Sequence, residues 1–228
     1  MLLKLKFLKI FFIIIILIIA VLAIYAIFFR EVPETISKEY TVSTQDITGG
    51  ININVTNRLV ELIVNENSNE IKIQYGENQK EYYDFQINDN KVLEMKLTSN
   101  KELFDYIEIN NSNVSPIKVE LPVQFLGGLS ITTSNNDIVI PEIDIQGNLE
   151  LNANNGNIIL NSVNISKDVN LTGKNGNITG TIKGSYDDFS INAKAHKGDS
   201  NLPANKEDGL KKLNVYTNNV DINLNFED

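Results

Sequence analysis

Few side chains in this sequence could do chemistry, and the single histidine is the first to weigh. His196 lies in AKAHKGDS, close to Asp199 and Ser200. A serine nucleophile needs a histidine base that is itself oriented by a carboxylate, and neighbours in sequence do not make that relay, so the run reads as a solvated loop. Carboxylate pairs come second, because two of them flanking a glycosidic bond can serve as general acid and as base or nucleophile. Glu142 with Asp144, and Asp187 with Asp188, qualify by type. Asp144 falls two positions before Gln146 on an outward phase, and Asp187 and Asp188 fall where a turn is expected. With no basic or aromatic cleft beside them they read as a solvated acidic face. No H-E-x-x-H, G-x-S-x-G or P-loop pattern occurs. The absence of cysteine removes disulfides, thiolate metal sites, a thiol nucleophile and a lipidated cysteine. The expectation is a non-enzymatic chain with no catalytic residue and no cofactor.

A cation site is the remaining chemical candidate. Asp137, Asn157, Asn177 and Asp221 share one column just after a turn, and stacked oxygen ligands can hold a hard cation such as calcium. The glycine-rich nonapeptide of calcium-binding β-rolls is missing, and a hydrogen-bonded ladder of side-chain amides explains the same column better. Asn-x-Ser/Thr sequons, among them Asn54, Asn113, Asn164, Asn170 and Asn177, arise readily in a chain this rich in asparagine. The Asn, Ile and Lys richness suits AT-rich bacterial coding.

The column exists because the sequence repeats. Residues 131 to 190 in rows of twenty begin ITTSNNDIVI, LNANNGNIIL and LTGKNGNITG. Apolar columns follow: Leu129, Leu149, Val169 and Phe189; Ile131, Leu151, Leu171 and Ile191; Ile138, Ile158 and Ile178; Ile140 and Leu160, with Gly180 in the third place. Ala153, Gly173 and Ala193 make a small-residue column, and Asn135, Asn155 and Asn175 a turn column. A fourth copy, Leu213 to Leu224, follows an irregular insertion around residues 196 to 210. Inward positions alternate within each row, the period of a strand with one buried face. Asn-Gly at 155–156 and 175–176 supplies residues that tolerate positive φ at the bend. A meander of hairpins could carry the same turns, but stacking of like residues at a fixed return favours a single-stranded β-solenoid, β-helix-like, with a narrow interior.

The upstream half, residues 40–125, alternates in the same way but with less regular register. Val64, Ile71 and Ile73 repeat the spacing of Leu151, Ile158 and Leu160, as a divergent row would. The stretch from Ile71 to Leu97 suits hairpins that cap the stack, since a bare terminal row would expose a β edge.

The first 30 residues differ from all of this. Twenty-six of them are hydrophobic, and their only charges are Lys4, Lys6, Lys9 and Arg30. Residues 10–29 carry no charge, and as a helix they match a hydrocarbon core, so they read as an uncleaved transmembrane helix anchored in the lipid bilayer. Three lysines precede the span, which puts residues 1–9 in the cytoplasm as a short basic segment. Residues 30–39 read as a linker, and residues 40–228 as an extracellular domain with an irregular part over 40–125 and regular rows over 126–226. The localisation expected is a single-pass cell membrane protein. Beyond residue 30 the chain holds 16 positive against 29 negative charges. That excess argues against nucleic-acid binding, which needs cations to displace phosphate counterions.

RLVELIVNENSNEIKIQYG, LPVQFLGGLSITTSNNDIVI, LELNANNGNIIL and VNLTGKNGNITG resemble the bacterial "putative adhesin" domain family of unknown function, which includes LiaG-like membrane-anchored proteins of Gram-positive envelope-stress systems. The resemblance covers roughly residues 45 to 226. It implies a right-handed β-solenoid outside the membrane, an all-β ectodomain after one N-terminal transmembrane helix. It carries over no catalytic residue, and this chain favours Asn over the family's Ser and Asp at the turns. The function expected is a non-catalytic cell-surface adhesin-like protein that binds cell-wall glycan or an envelope protein. The rivals are an accessory sensor in an envelope-stress response and, less favoured, a polysaccharide-active β-helix enzyme.

Overall fold

Alternation within the strands of residues 128–183 buries one face of each, and the chain meets that demand by closing two sheets over one apolar interior. The computed structural model describes residues 2–28, 33–101 and 115–227, with helical side chains over 9–25. Its first sheet contains β1 (Ile36–Ser43), β3 (Val60–Asn65), β4 (Glu70–Glu77), β7 (Ile117–Pro122), β8 (Gln124–Phe125), β10 (Ile138–Ile140), β11 (Ile143–Ile145), β13 (Ile158–Ile165), β15 (Ile178–Lys183) and β19 (Ile222–Glu227). The second runs in the order β17 (Asn205–Lys206), β16 (Phe189–Ala195), β18 (Lys211–Thr217), β14 (Val169–Gly173), β12 (Leu149–Ala153), β9 (Gly128–Thr133), β2 (Gly50–Asn54), β6 (Val92–Ser99) and β5 (Glu81–Ile87).

Between the ends, pairing is parallel. Leu129, Leu149 and Val169 align across β9, β12 and β14, and Ile138, Ile158 and Ile178 across β10, β13 and β15. These side chains are at most 1% exposed. Gly180 interrupts its column between Leu160 and Leu224: at φ +136° it has Leu160 O only 2.1 Å from where a Cβ would sit.

The fold class departs from a single-stranded solenoid after a membrane helix. Both sheets are mixed: β4 is antiparallel to β1 and β7, β5 to β6, and β16 to β17. The reversals lie towards the ends of the stack, where a parallel row would have left its amides and carbonyls unpaired. Val64, Ile71 and Ile73 are not a divergent row, since β3 and β4 flank β7 within one sheet and the chain between them reverses direction. Strand β1 starts at Ile36, inside the stretch read as linker, whose residues 30–32 lie outside the described residues.

The N-terminal segment is helix α1 (Leu2–Phe28). No helix among the described residues is long and apolar enough to cross a membrane. This overturns the transmembrane helix over residues 10–29, and with it the single-pass localisation.

The end of the stack corrects the columns as well. Strand β18 lies between β14 and β16, so Leu213, and not Phe189, sits against Val169, and Ile191 aligns with Leu213. The chain lays down β16 beyond the gap and returns to fill it. At the other end β2 pairs with β9, Ile51 beside Leu129 and Ile53 beside Ile131, while β3 brings Val60 against Ile138. Residues 50–65 therefore form a row like the others, 78 positions before its neighbour.

Candidate functional site

The bends between the two sheets carry two ladders of asparagine. In the outer one the Nδ2 of Asn135 donates to Asn57 Oδ1, Asn155 to Asn135, Asn175 to Asn155 at 2.6 Å, and Asn219 to Asn175. Asn135, Asn155 and Asn175 therefore each both donate and accept, the pattern that amide side chains form when identical positions stack. Asn57 and Asn135 have φ of 55° and 62°, which asparagine tolerates better than most residues. The Asn-Gly steps are explained by proximity and not by positive φ. A Cβ on Gly156 would meet Asn136 O at 1.7 Å, and one on Gly176 would meet Gly156 O at 1.8 Å.

The inner ladder is the column read as a cation candidate. Asp137 Oδ1 accepts the Asn157 amide at 2.7 Å, Asn157 Oδ1 the Asn177 amide at 2.9 Å, and Asn177 Oδ1 the Asp221 amide at 3.1 Å. Asp221 Oδ1 accepts the Asp199 amide at 2.9 Å. The structure thus brings the four residues together in one column, with one oxygen of each turned along the stack to a backbone donor. Among the described residues, no group of three His, Cys, Asp or Glu is placed to hold a metal ion.

The catalytic candidates do not converge. Ser200 Oγ donates to Leu202 O and accepts from Leu202 N, both at 3.1 Å, while His196 is exposed on the preceding bend. Asp187 and Asp188 lie on a single 3₁₀ turn, Tyr186–Asp188, and face Lys206 at 3.7 Å and Lys211 at 3.9 Å respectively. Glu142 pairs with Lys183, and Asp144 stands beside Asn164 and Gln124 on the first sheet. Of the sequon asparagines, Asn54, Asn164 and Asn170 lie in strands and Asn177 at a bend; Asn113 lies outside the described residues.

A buried charged cluster escaped the sequence reading. Arg58, 5% exposed at the bend after β2, donates from Nη2 to Glu81 Oε2 at 2.8 Å and from Nε to Tyr83 Oη at 3.1 Å. Lys101 Nζ is 3.0 Å from the same Glu81 oxygen. Burial disfavours the Glu81 anion, but the hydrogen bonds and charges of Arg58 and Lys101 outweigh it and hold the carboxyl below its ordinary range. Burial likewise pushes the Tyr83 hydroxyl up, against the pull of Arg58. Every group has a partner, so the cluster clamps the β5–β6 hairpin to the first parallel row. Its visible signal was that Ile51, Ile53, Asn57 and Val60 share the spacing of Leu129, Ile131, Asn135 and Ile138.

The outer face of the second sheet offers the exposed surface. Its register aligns two polar ranks: Asn52, Ser130, Glu150, Asn170, Asn214 and Asn192; and Asn54, Thr132, Asn152, Thr172, Tyr216 and Lys194. Adjacent strands in such a sheet are about 4.8 Å apart, so amide and hydroxyl groups recur at that interval. Over β14, β18 and β16 the face dips into an open depression of about 270 Å³, lined by Asn170, Thr172, Asn192, Lys194, Asn214 and Tyr216. Asn214 Nδ2 donates to Asn170 Oδ1 at 2.9 Å. Among the described residues the side chains of Thr172, Asn192, Lys194 and Tyr216 have no partner, and Tyr216 is 42% exposed.

No family model matches this chain, and no curated protein matches it. Among solved structures, one described as a "putative cell adhesion protein" from Clostridium sporogenes ATCC 15579 is similar at 16% identity, with a TM-score of 0.58 over 85% of this chain and 100% of that one. That likeness shows a shared fold. A "putative adhesin" from Bacteroides fragilis NCTC 9343 is similar at 12% identity with a TM-score of 0.35, over 84% of this chain and 97% of that one. Another from Parabacteroides distasonis ATCC 8503, at 10% identity with a TM-score of 0.26, covers the same shares. Neither of these two carries an argument about this chain.

Proposed function

We propose that this chain is a non-catalytic, adhesin-like binding protein that holds an envelope glycan against the outer face of its second sheet. The observation that carries the reading is the pair of polar ranks, in which equivalent amide and hydroxyl groups recur on successive parallel strands. A surface that repeats by translation meets successive units of a polymer with equivalent contacts. Individually weak hydrogen bonds then add within one bound chain, because each contact raises the effective concentration for the next. The strands are held by backbone pairing on both sides, so the groups are rigid and little ordering entropy is lost on binding. The description of the Clostridium sporogenes protein is in keeping with this role.

The test is co-sedimentation of the full chain, kept in mild detergent because of its apolar helix, with purified bacterial walls that retain their teichoic acids. Retention in the wall pellet is expected. A variant with Asn152→Glu and Thr172→Glu, both on exposed outward positions, should lose retention while keeping its thermal midpoint. If the wild-type chain stays in the supernatant at low and at physiological salt, the reading fails.

A further inference from the structure

Resting on that reading, we propose that the depression over β14, β18 and β16 is a subsite for one sugar unit bearing a negative charge, carboxylate or phosphate, within the bound glycan. Three features of the depression point there. The first is its chemistry: Asn192 and Asn170 offer amides, Thr172 a hydroxyl, and Tyr216 a partly exposed ring, all within one open concavity. Side-chain amides bind adjacent hydroxyls by donating to one and accepting from the next, and an aromatic ring packs on the C–H face of a sugar while its hydroxyl stays wet. The volume, about 270 Å³, lies just below the roughly 300 Å³ at which pockets for drug-sized ligands begin, so it suits a single ring.

The second feature is charge. Residues 31–160 hold eight Lys and Arg against twenty Asp and Glu, whereas residues 161–228 hold eight Lys against nine acids. The depression belongs wholly to the second, nearly balanced part. Lys194 lines it without an ion-pair partner, and Lys212 lies on β18 two residues before Asn214, also unpaired among the described residues. Of the acids on this face, Asp168 accepts from Lys212 N at 2.9 Å at the start of β14, and Glu150 pairs in register with Asn170 on the far side from Lys194. An anionic group would be repelled over most of this protein and drawn to this end of the sheet.

The third is position. Lys194 and Tyr216 are register partners on β16 and β18, strands adjacent only because β18 fills the gap beside β14. Tyr216 and Lys194 thus interrupt, at one end, a rank that otherwise reads Asn54, Thr132, Asn152, Thr172. The regular ranks would bind the polymer along its length, and this end would select a charged unit.

Saturation-transfer NMR titrations of the full chain decide the matter, with a hyaluronan tetrasaccharide (carboxylate), a glycerol-phosphate oligomer (phosphate), neutral chitotetraose and inorganic phosphate as probes. At least one charged oligomer should bind about fivefold more tightly than chitotetraose, the range open to one exposed ionic contact. Lys194→Gln should erase that preference. Tyr216→Ala should weaken the charged and neutral oligomers alike, and Tyr216→Phe should retain them. If the chain sediments with walls but shows no charge preference, or if Lys194→Gln leaves the preference intact, the subsite is wrong while the broader reading stands. If inorganic phosphate binds as tightly as the oligomers, the depression is a simple anion site and the sugar assignment falls. Failure to bind walls or any oligomer overturns both. Each variant is read beside its far-UV circular dichroism and thermal midpoint, which an exposed substitution should leave in place.

Discussion

Arg58, Glu81, Tyr83 and Lys101 show how much a few residues can hold. Two cations share one carboxylate in a site where Arg58 and Glu81 are each less than a tenth exposed. Removing one member strands the others, and uncompensated buried charge costs about 3–5 kcal/mol. Arg58→Ala should therefore lower the urea midpoint by an amount corresponding to that range, and an Arg58→Met, Glu81→Leu double variant should recover much of it. The cluster also sets an acid limit. Because the folded state holds the Glu81 carboxyl below its ordinary value, its stabilisation is fully present above that ordinary value and drains away as pH falls through the folded one. Between pH 5 and pH 3 the wild type should lose more stability than Glu81→Gln, which has no such proton to take up. In the ladder, Asn155→Asp removes the donor to Asn135 and sets a carboxylate against that oxygen. A loss of about 1–3 kcal/mol is expected in chemical denaturation, since a partner is left unsatisfied. The ladder was legible in the column of Asn135, Asn155 and Asn175. The cluster was not, because Arg58 and Glu81 are 23 residues apart in the irregular half, and no local pattern pairs them.

Among the elements, the end strands did most to depart from the repeat. Strand β19 is covered on its outer side by Asn201, whose Nδ2 donates to Leu224 O at 2.8 Å while its Oδ1 accepts Leu224 N at 3.0 Å. One side-chain amide there stands in for a strand's peptide group. Asn201→Ala should cost about 1–3 kcal/mol and raise the rate of aggregation followed by light scattering, because a β edge is uncovered. The tight approach of successive bends makes a different demand. Gly176→Ala would drive a Cβ to 1.8 Å from Gly156 O, a backbone atom that cannot turn away. The rows would have to part locally, and a drop of several degrees in thermal midpoint should follow, larger than for Lys174→Ala at the neighbouring exposed position. By residue type the Asn-Gly steps suit a turn conformation. Their actual reason is the distance between neighbouring rows, which no single row reveals.

At the scale of the whole molecule, the parallel rows make a rigid core whose outer faces are free for other use. Amide hydrogen exchange should show it: β9, β12 and β14, paired on both sides, should exchange more slowly than β1 and β17 at the sheet edges, and the reverse order would contradict the stacking. Period-two alternation and the twenty-residue return were enough to determine that residues 128–183 form strands and that like residues pair in parallel, because burying one face and repeating it leaves few other arrangements. Composition was likewise enough to exclude cysteine chemistry. Only the tertiary structure decided that β18 enters between β14 and β16 and that the reversed strands make both sheets mixed. It also decided that Lys194 and Tyr216 stand side by side. The reason is that strand order at an edge depends on which distant segment best satisfies the open hydrogen bonds there. That is a competition among remote parts of the chain, and local periodicity carries no record of its outcome.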